Sequence, residues 1–454
     1  MQNPSMRAAL TDDALAHVDM ANSVMRHMRY LPPGSVIAVQ GSWGRGKTDI
    51  LERVYFATAE RAKEQESVPP LWLNPWQYGT PDLITPIVAQ LLGRLPPDQR
   101  KRSAKLRQAA KTLLRAGNAM AFKALSIVAP MGSVIEAGSG PVDEFIVEMF
   151  DKAEEGEASD LDPISAMAQR FRELVDQYLG NIAHPDAQLL ICVDDLDRCL
   201  PDHQIAMLEA IYFLTGARAK VSFLVALDPT LVQQAAVTHY RTPGFDTNQY
   251  LDKLFDLRLT LRALVVQDIQ SLIELQLNRS VTIPNERTLT LSEALQATLK
   301  AEPESIRYAF GELSRFPELC NPRLITRIFD RLYLLGQAVD EQVDIDLGVM
   351  LDATVAWCAI AERWPSLRYL LQAIDHELWE HFLQNFQIYY GDEDDKHMSN
   401  YRTFVDESGH LLSRLPSAER NPDVGAFLRY FRYRGYGPFA AFATIDQVLI
   451  RVGL

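Results

Sequence analysis

Apolar positions along this chain follow two rhythms. Short, uninterrupted apolar runs bounded by turn residues predict buried strands: SVIAVQ (35–40), LWLN (71–74), the apolar part of AQLLICVDDLDRC (187–199) and VSFLVALD (221–228). Between them, apolar residues recur every three to four positions, the spacing of one helix face. Ala14, Leu15, Val18, Ala21, Val24, Met25 and Met28 mark a helix over 12–31, ended by Pro32–Gly34. Further helices are expected over 48–65 and around 163–180. Strands buried on both faces and alternating with helices imply an α/β fold with a parallel sheet covered on both sides. From about residue 260 the pattern is mostly helical, and no internal repeat is visible.

Length and charge then bound the picture. At 454 residues the chain exceeds one ordinary core, so two or three domains are expected. Hydrophobic residues at 47% and charged residues at 23% describe a folded globular protein and argue against long disorder. A net charge of −14 argues against a global grip on nucleic acid. Cys192, Cys199, Cys320 and Cys358 are scattered without paired spacing, which implies neither a zinc site nor a disulfide framework. Cys192, inside an apolar run, reads as a small buried hydrophobe. The N-terminal residues lack the basic-then-apolar pattern of a signal peptide, which predicts a cytoplasmic protein.

One stretch stands apart. AMAFKALSIVAPMGSVIEAG (119–138) follows a basic region holding Lys101, Arg102, Lys105, Arg107, Lys111 and Arg115. Lys123, Pro130, Gly132 and Glu136 interrupt the roughly 20 apolar residues that a spanning helix needs. Residues 101–138 read as an amphipathic helical insert with a solvated basic face. Peripheral contact with the inner face of an anionic membrane, or with nucleic acid, is the competing reading.

The chemistry concentrates at the strand ends. GSWGRGKT (41–48) follows a predicted strand and opens a predicted helix, the context that turns a glycine motif into a phosphate site. Gly41, Gly44 and Gly46 let successive backbone N–H groups point at phosphate oxygens, with Ser42, Trp43 and Arg45 between them. Lys47 would reach the β- and γ-phosphates, and Thr48 would place its hydroxyl on Mg²⁺. Such a loop needs an acidic element on a neighbouring strand, and LLICVDDLDRC supplies it. Asp194 is the candidate for the metal side and Asp195 for orienting or deprotonating the attacking water. Asp197 and Arg198 could form a structural ion pair or take a catalytic part. Open parallel sheets bind ligands at the carboxyl ends of their strands, which puts Asn74 and Asp228 in reach of water or γ-phosphate. Asn-Pro and Asp-Pro also favour turns by themselves, and Asp228 equally suits a helix start. Arg323 and Arg327 lie four apart on a predicted helix and share a face. They suit either γ-phosphate sensing or pairing with acidic neighbours. Lys253 and Arg258, in YLDKLFDLRL, are conceivable donors to a second copy, though solvated charges flanking the core are the better reading.

Taken in order, GSWGRGKT with Trp43 inside the loop, LNPWQY, LLICVDDLDRC, VALDP, YLDKLFDLRL and NPRLITR resemble the KAP family of P-loop NTPases over roughly residues 10 to 370. The resemblance implies ATP rather than GTP, with Mg²⁺. It implies an insert between the two motifs that often carries transmembrane helices, and an arginine of the helical subdomain, best matched by Arg323, that approaches the nucleotide. It further implies a slow ATPase acting as a conformational or assembly switch, with a protein partner or a second copy, in signalling or in exclusion of phage or plasmids. A non-catalytic nucleotide-binding scaffold is the alternative. The expected division is an NTPase core in 1–95 and 161–260, a basic helical insert in 96–160, a helical subdomain in 261–375 and a C-terminal helical region in 376–454. In that last region RYFRYRGYGPF interleaves Arg with aromatics, which suits a partner contact or, less well, base stacking.

Overall fold

The computed structural model describes residues 15, 17–64, 68–79, 82–94, 163–181, 187–216, 218–240, 246–262, 264–282, 288–316, 319, 321–342, 351–373, 424, 426–427 and 438–451. The basic insert 101–138 and most of RYFRYRGYGPF lie outside the described residues. The chain divides into two compact units, 1–262 and 263–454.

The first unit runs α1 (His17–Tyr30), β1 (Val36–Gln40), α2 (Lys47–Lys63), β2 (Leu71–Leu73), α3 (Ile84–Arg94), α4 (Pro163–Asn181), β3 (Leu189–Val193), α5 (Pro201–Gly216), β4 (Val221–Leu227), α6 (Pro229–Tyr240), α7 (Thr247–Leu254) and β5 (Leu257–Thr260). Its five strands form one sheet in the order β2-β3-β4-β1-β5, and every pairing is parallel. Residues of β1, β3 and β4 are buried throughout because their alternate side chains feed two separate cores. Val36, Ala38, Ile191, Val193, Phe223 and Val225 pack on one face with α3, α4 and α5. Ile37, Val39, Cys192, Leu224 and Ala226 pack on the other with Ala21 and Val24 of α1 and Ile50, Leu51 and Val54 of α2.

The strand β5 is a finding that the apolar pattern did not predict. It pairs with β1 from Ile37↔Leu257 to Gln40↔Thr260, yet its residues are only half-buried. It lies at the sheet edge and packs on one side only, so it lacks the continuous apolar run of its neighbours. Arg258 within it pairs with Asp252, which accords with its reading as a solvated charge.

Backbone hydrogen bonds continue past the strand ends. Gly41 N–H donates to Leu227 O at 3.2 Å, and Asp194 N–H to Leu73 O at 3.0 Å. The ladder thereby lines up the residues that follow β1, β2, β3 and β4 along one carboxyl edge.

The second unit contains α8 (Val266–Leu277), a short antiparallel pair β6 (Ser280–Thr282) and β7 (Thr288–Thr290), then α9 (Leu291–Leu299), α10 (Pro303–Leu313), α11 (Pro322–Gln342), α12 (Leu351–Arg363), α13 (Pro365–Gln372) and α14 (Pro438–Arg451). Phe310 of α10 stacks on Phe329 of α11 with ring centres 3.9 Å apart. The fully buried Asp446 of α14 accepts from Arg368 Nε at 2.7 Å, Gln372 Nε2 at 2.8 Å and Trp357 Nε1 at 3.2 Å. That triple satisfaction is what makes a buried carboxylate tolerable. Among the described residues, no helix is long and apolar enough to cross a membrane.

Candidate phosphate-binding site

Between β1 and α2 the chain turns through the glycine loop. Gly44 and Gly46 adopt φ of 82° and 94°, a left-handed backbone that a side chain disfavours. At Gly46 space also forbids one: a Cβ would sit 2.2 Å from the His17 ring. Gly46 is the N-cap of α2 and no side chain caps that end, so the helix presents its N-terminus to the loop. Behind the loop, Asp49 in the first turn of α2 meets His17 Nδ1 at 2.6 Å and Arg53 Nε at 2.9 Å. This triad ties α1 to the start of α2. Glu52, one turn on, has its carboxyl pushed up to about 7 by burial and by the charges of Asp49 and Asp194.

Lys47 folds back over the loop. Its Nζ donates to Gly41 O at 2.8 Å and to Ser42 O at 3.4 Å. It also lies 2.9 Å from Asp197 Oδ2, with side chains only 8% and 4% exposed. That contact is a close ion pair rather than an aligned hydrogen bond, since Asp197 Oδ2 has no hydrogen-bond partner among the described residues. Thr48 Oγ1 donates to Asp194 Oδ1 at 3.2 Å, bringing the two expected metal-side oxygens together. Burial, then the neighbouring Asp195 charge, raises the Asp194 carboxyl to about 6.

Asp195 sits at φ 56°, in the left-handed region. Its Oδ2 accepts from Asn74 Nδ2 at 2.8 Å, and its Oδ1 pairs with Arg198 Nε at 2.8 Å. Asn74 therefore does more than turn chemistry, although it also starts the 3₁₀ turn Pro75–Gln77. The expected Asp197–Arg198 pair needs correction: Asp197 turns inward to Lys47, and Arg198 turns to Asp195. The reason is the 3₁₀ turn Leu196–Arg198, where positions three apart eclipse and adjacent ones diverge. The Arg198 guanidinium carbon lies 5.9 Å from the Trp43 ring centre and 5.5 Å from that of Trp76. Each such contact contributes about 0.5–1 kcal/mol at an exposed position. Sequence reasoning missed this stack; a tryptophan in the loop and another in NPWQ, both near a strand-end arginine, were the available signal.

The remaining expected residues take other places. Asp228 is buried at the end of β4, and its Oδ1 accepts from Thr230 N–H at 3.0 Å, a helix-start role at the same edge. Arg323 and Arg327 lie on α11 in the second unit. Asn321 Oδ1 accepts from the Arg323 N–H at 3.0 Å, and Arg327 Nη1 pairs with Glu362 at 3.4 Å. For Arg327 the pairing reading is the one observed. Ser42 Oγ accepts from Arg45 Nε at 3.4 Å within the loop.

The donor set fits Mg²⁺ with a triphosphate. Thr48 and Asp194 offer adjacent hard oxygens, and Lys47 with the open end of α2 offers positive potential to phosphate.

A parallel sheet whose first strand runs through a glycine loop into a helix, with paired carboxylates closing the neighbouring strand, defines a nucleotide-binding P-loop NTPase. The family model of the KAP family P-loop domain matches residues 17–339, and the chain belongs to that family. Among solved structures, the Aeropyrum pernix ORC2 protein in its ADPNP–ADP complexes is 12% identical over 92% of this chain and 94% of its own, with a TM-score of 0.37. No curated protein matches the chain.

Proposed function

We propose that this protein hydrolyses ATP with Mg²⁺, slowly, as a conformational or assembly switch. The observation that carries the reading is the meeting of the Thr48 hydroxyl with Asp194 at 3.2 Å, beside Lys47 and Asp195 on one sheet edge. Lys47 would take the β- and γ-phosphates, and Thr48 with Asp194 would hold the cation. Mg²⁺ held there would supply neutralisation of the phosphate charge. Asp195, held by Asn74 and Arg198, orients the attacking water.

The slow switch follows from what already occupies the machinery. Lys47 is committed to Asp197, and both Asp195 oxygens have protein partners. Binding must exchange the first contact, and turnover must proceed around the second, so nucleotide state and local structure are coupled. ATP over GTP, and a role in excluding phage or plasmids, rest on the family resemblance.

Lys47→Ala should lose ATP binding in titration calorimetry. Asp195→Asn should keep affinity while phosphate release falls. Folded Lys47→Ala with unchanged affinity would sink the site, and Asp195→Asn at full turnover would sink the carboxylate's role. An assembly switch further requires that the mass measured by light scattering differ between ATP and ADP.

A further inference from the structure

Three loops converge on Arg198. Trp43 belongs to the glycine loop, Trp76 to the turn after β2, and Asp195 to the end of β3. The two indoles are 56% and 54% exposed, so each leaves the core and has its ring available to the guanidinium. Here both lie against the guanidinium, whose carbon is 5.9 Å from one ring centre and 5.5 Å from the other. A guanidinium suits such aromatic contacts, and two of them restrict the freedom of a long side chain.

Asp195 supplies an independent observation. A left-handed backbone at a non-glycine residue is uncommon and gathers where geometry serves chemistry. The carboxylate it projects is clasped on both oxygens, by Asn74 and by Arg198, each at 2.8 Å. Asn74 directly follows β2 and its carbonyl accepts from Gln77 N–H at 3.1 Å, whereas Arg198 is steadied by the indoles. Without Arg198, only one oxygen is held and the carboxylate regains rotation.

We propose that Arg198 is a positioning residue for nucleotide hydrolysis: held against Trp43 and Trp76, it sets the Asp195 carboxylate and ties it to the phosphate-binding loop. The inference rests on Asp195 orienting the attacking water. It gives the loop tryptophan a task apart from phosphate contact. When a triphosphate settles the glycine loop, Trp43 carries Arg198, and Arg198 carries Asp195.

The test uses the full chain, with ATP affinity by calorimetry and steady-state phosphate release for Arg198→Ala, Arg198→Lys, Trp76→Ala, the Arg198→Ala/Trp76→Ala double variant and Asp195→Asn. Arg198→Ala should hold ATP affinity and lower kcat about tenfold or more, the scale of a misplaced group. Arg198→Lys, which keeps the charge, should recover part of that loss. Trp76→Ala should lower kcat in the same direction, and the double variant should be no slower than Arg198→Ala, since both act through one carboxylate. Matched losses of affinity and turnover would put Arg198 on the nucleotide and overturn the proposal, as would additive effects in the double variant. If Asp195→Asn is slow while Arg198→Ala turns over normally, only the stack is refuted. If Asp195→Asn itself turns over normally, the carboxylate assignment falls and the stack falls with it. Trp76→Ala and Arg198→Lys alter side chains at the exposed rim, so they keep the test available should Arg198→Ala fail to fold.

Discussion

Replacing Asp197 by Asn should destabilise the free protein and at the same time tighten its hold on ATP. The pair it breaks is buried, with Lys47 and Asp197 side chains 8% and 4% exposed and their charges 2.9 Å apart. Removing one member of a buried pair typically costs about 3–5 kcal/mol, because the survivor's charge is stranded. Lys47 Nζ keeps Gly41 O at 2.8 Å and Ser42 O at 3.4 Å. Those two carbonyls leave the stranded ammonium partly satisfied, so a loss at or just below the lower end of that range, about 2–3 kcal/mol, is expected. Lys47→Met should cost a similar amount by stranding Asp197. The double variant Lys47→Met/Asp197→Leu should return close to the parent, since apolar replacement of a buried pair is often neutral.

Urea unfolding without nucleotide, followed by tryptophan emission, measures these proteins together with the single variant Asp197→Leu, and the cycle of Lys47→Met, Asp197→Leu and their double variant isolates the pair's coupling from other effects. ATP titration of Asp197→Asn provides the second arm. In the parent, triphosphate must draw Lys47 away from Asp197; in the variant that competition is gone, and affinity should rise about tenfold if about 1.4 kcal/mol of the pair is released. A coupling below about 0.5 kcal/mol would refute the ion pair as a stabilising contact. A folded variant with weaker ATP binding would show that Asp197 acts on the nucleotide rather than on Lys47.

Gly46→Ala should cost about 2–4 kcal/mol and abolish ATP binding, from its φ of 94° and a Cβ 2.2 Å from the His17 ring. Adding His17→Ala should relieve the clash but not the backbone strain, as read from urea midpoints. Glu52→Gln tests the electrostatics behind the loop. The Glu52 carboxyl lies at about 7 in the fold against an ordinary 4.5. A raised carboxyl contributes fully below 4.5, and that contribution is lost as pH rises through about 7. The parent's melting temperature should therefore drop between pH 5 and pH 8 more than the variant's. The full displacement converts to about 3 kcal/mol, which screening at a partly exposed position reduces to about 1 kcal/mol. In the second unit, Asp446→Ala strands Arg368 and should cost about 3–5 kcal/mol in unfolding, whereas a loss under about 1 kcal/mol would refute the buried network.

Much of the sheet was legible in the sequence for a local reason. Strands β1, β3 and β4 are buried on both faces, so each writes an apolar run bounded by a turn, and β2 at the other edge still writes three apolar residues although Trp72 is half-buried. The glycine loop is legible because its backbone demands glycine at fixed positions, and Gly46 meets that demand twice, through its φ and through the His17 ring. The strand β5 is not legible by the same rule. An edge strand, half-buried and carrying Arg258, writes LRLT, in which charge and apolar residues mix. The pair β6 and β7 is only three residues a side, too short to carry any period.

Charge pairing at the site illustrates a different limit, and a way past it. Neighbours in sequence, Asp197 and Arg198, look like natural partners, but the turn they occupy decides otherwise. With three residues per turn, Asp195 and Arg198 share a face while Asp197 points away from both. Three spaced carboxylates on one short turn are thus dealt to three tasks: Asp194 to Thr48, Asp195 to Asn74 and Arg198, and Asp197 to Lys47. Reading DDLDR as a tight turn rather than as a list of charges would have yielded the Asp195–Arg198 pair directly. The Lys47–Asp197 pair needs one more fact, that β4 lies between β3 and β1 and so holds the two loops at a fixed distance. That separation is a property of strand order, which spacing along the chain does not encode.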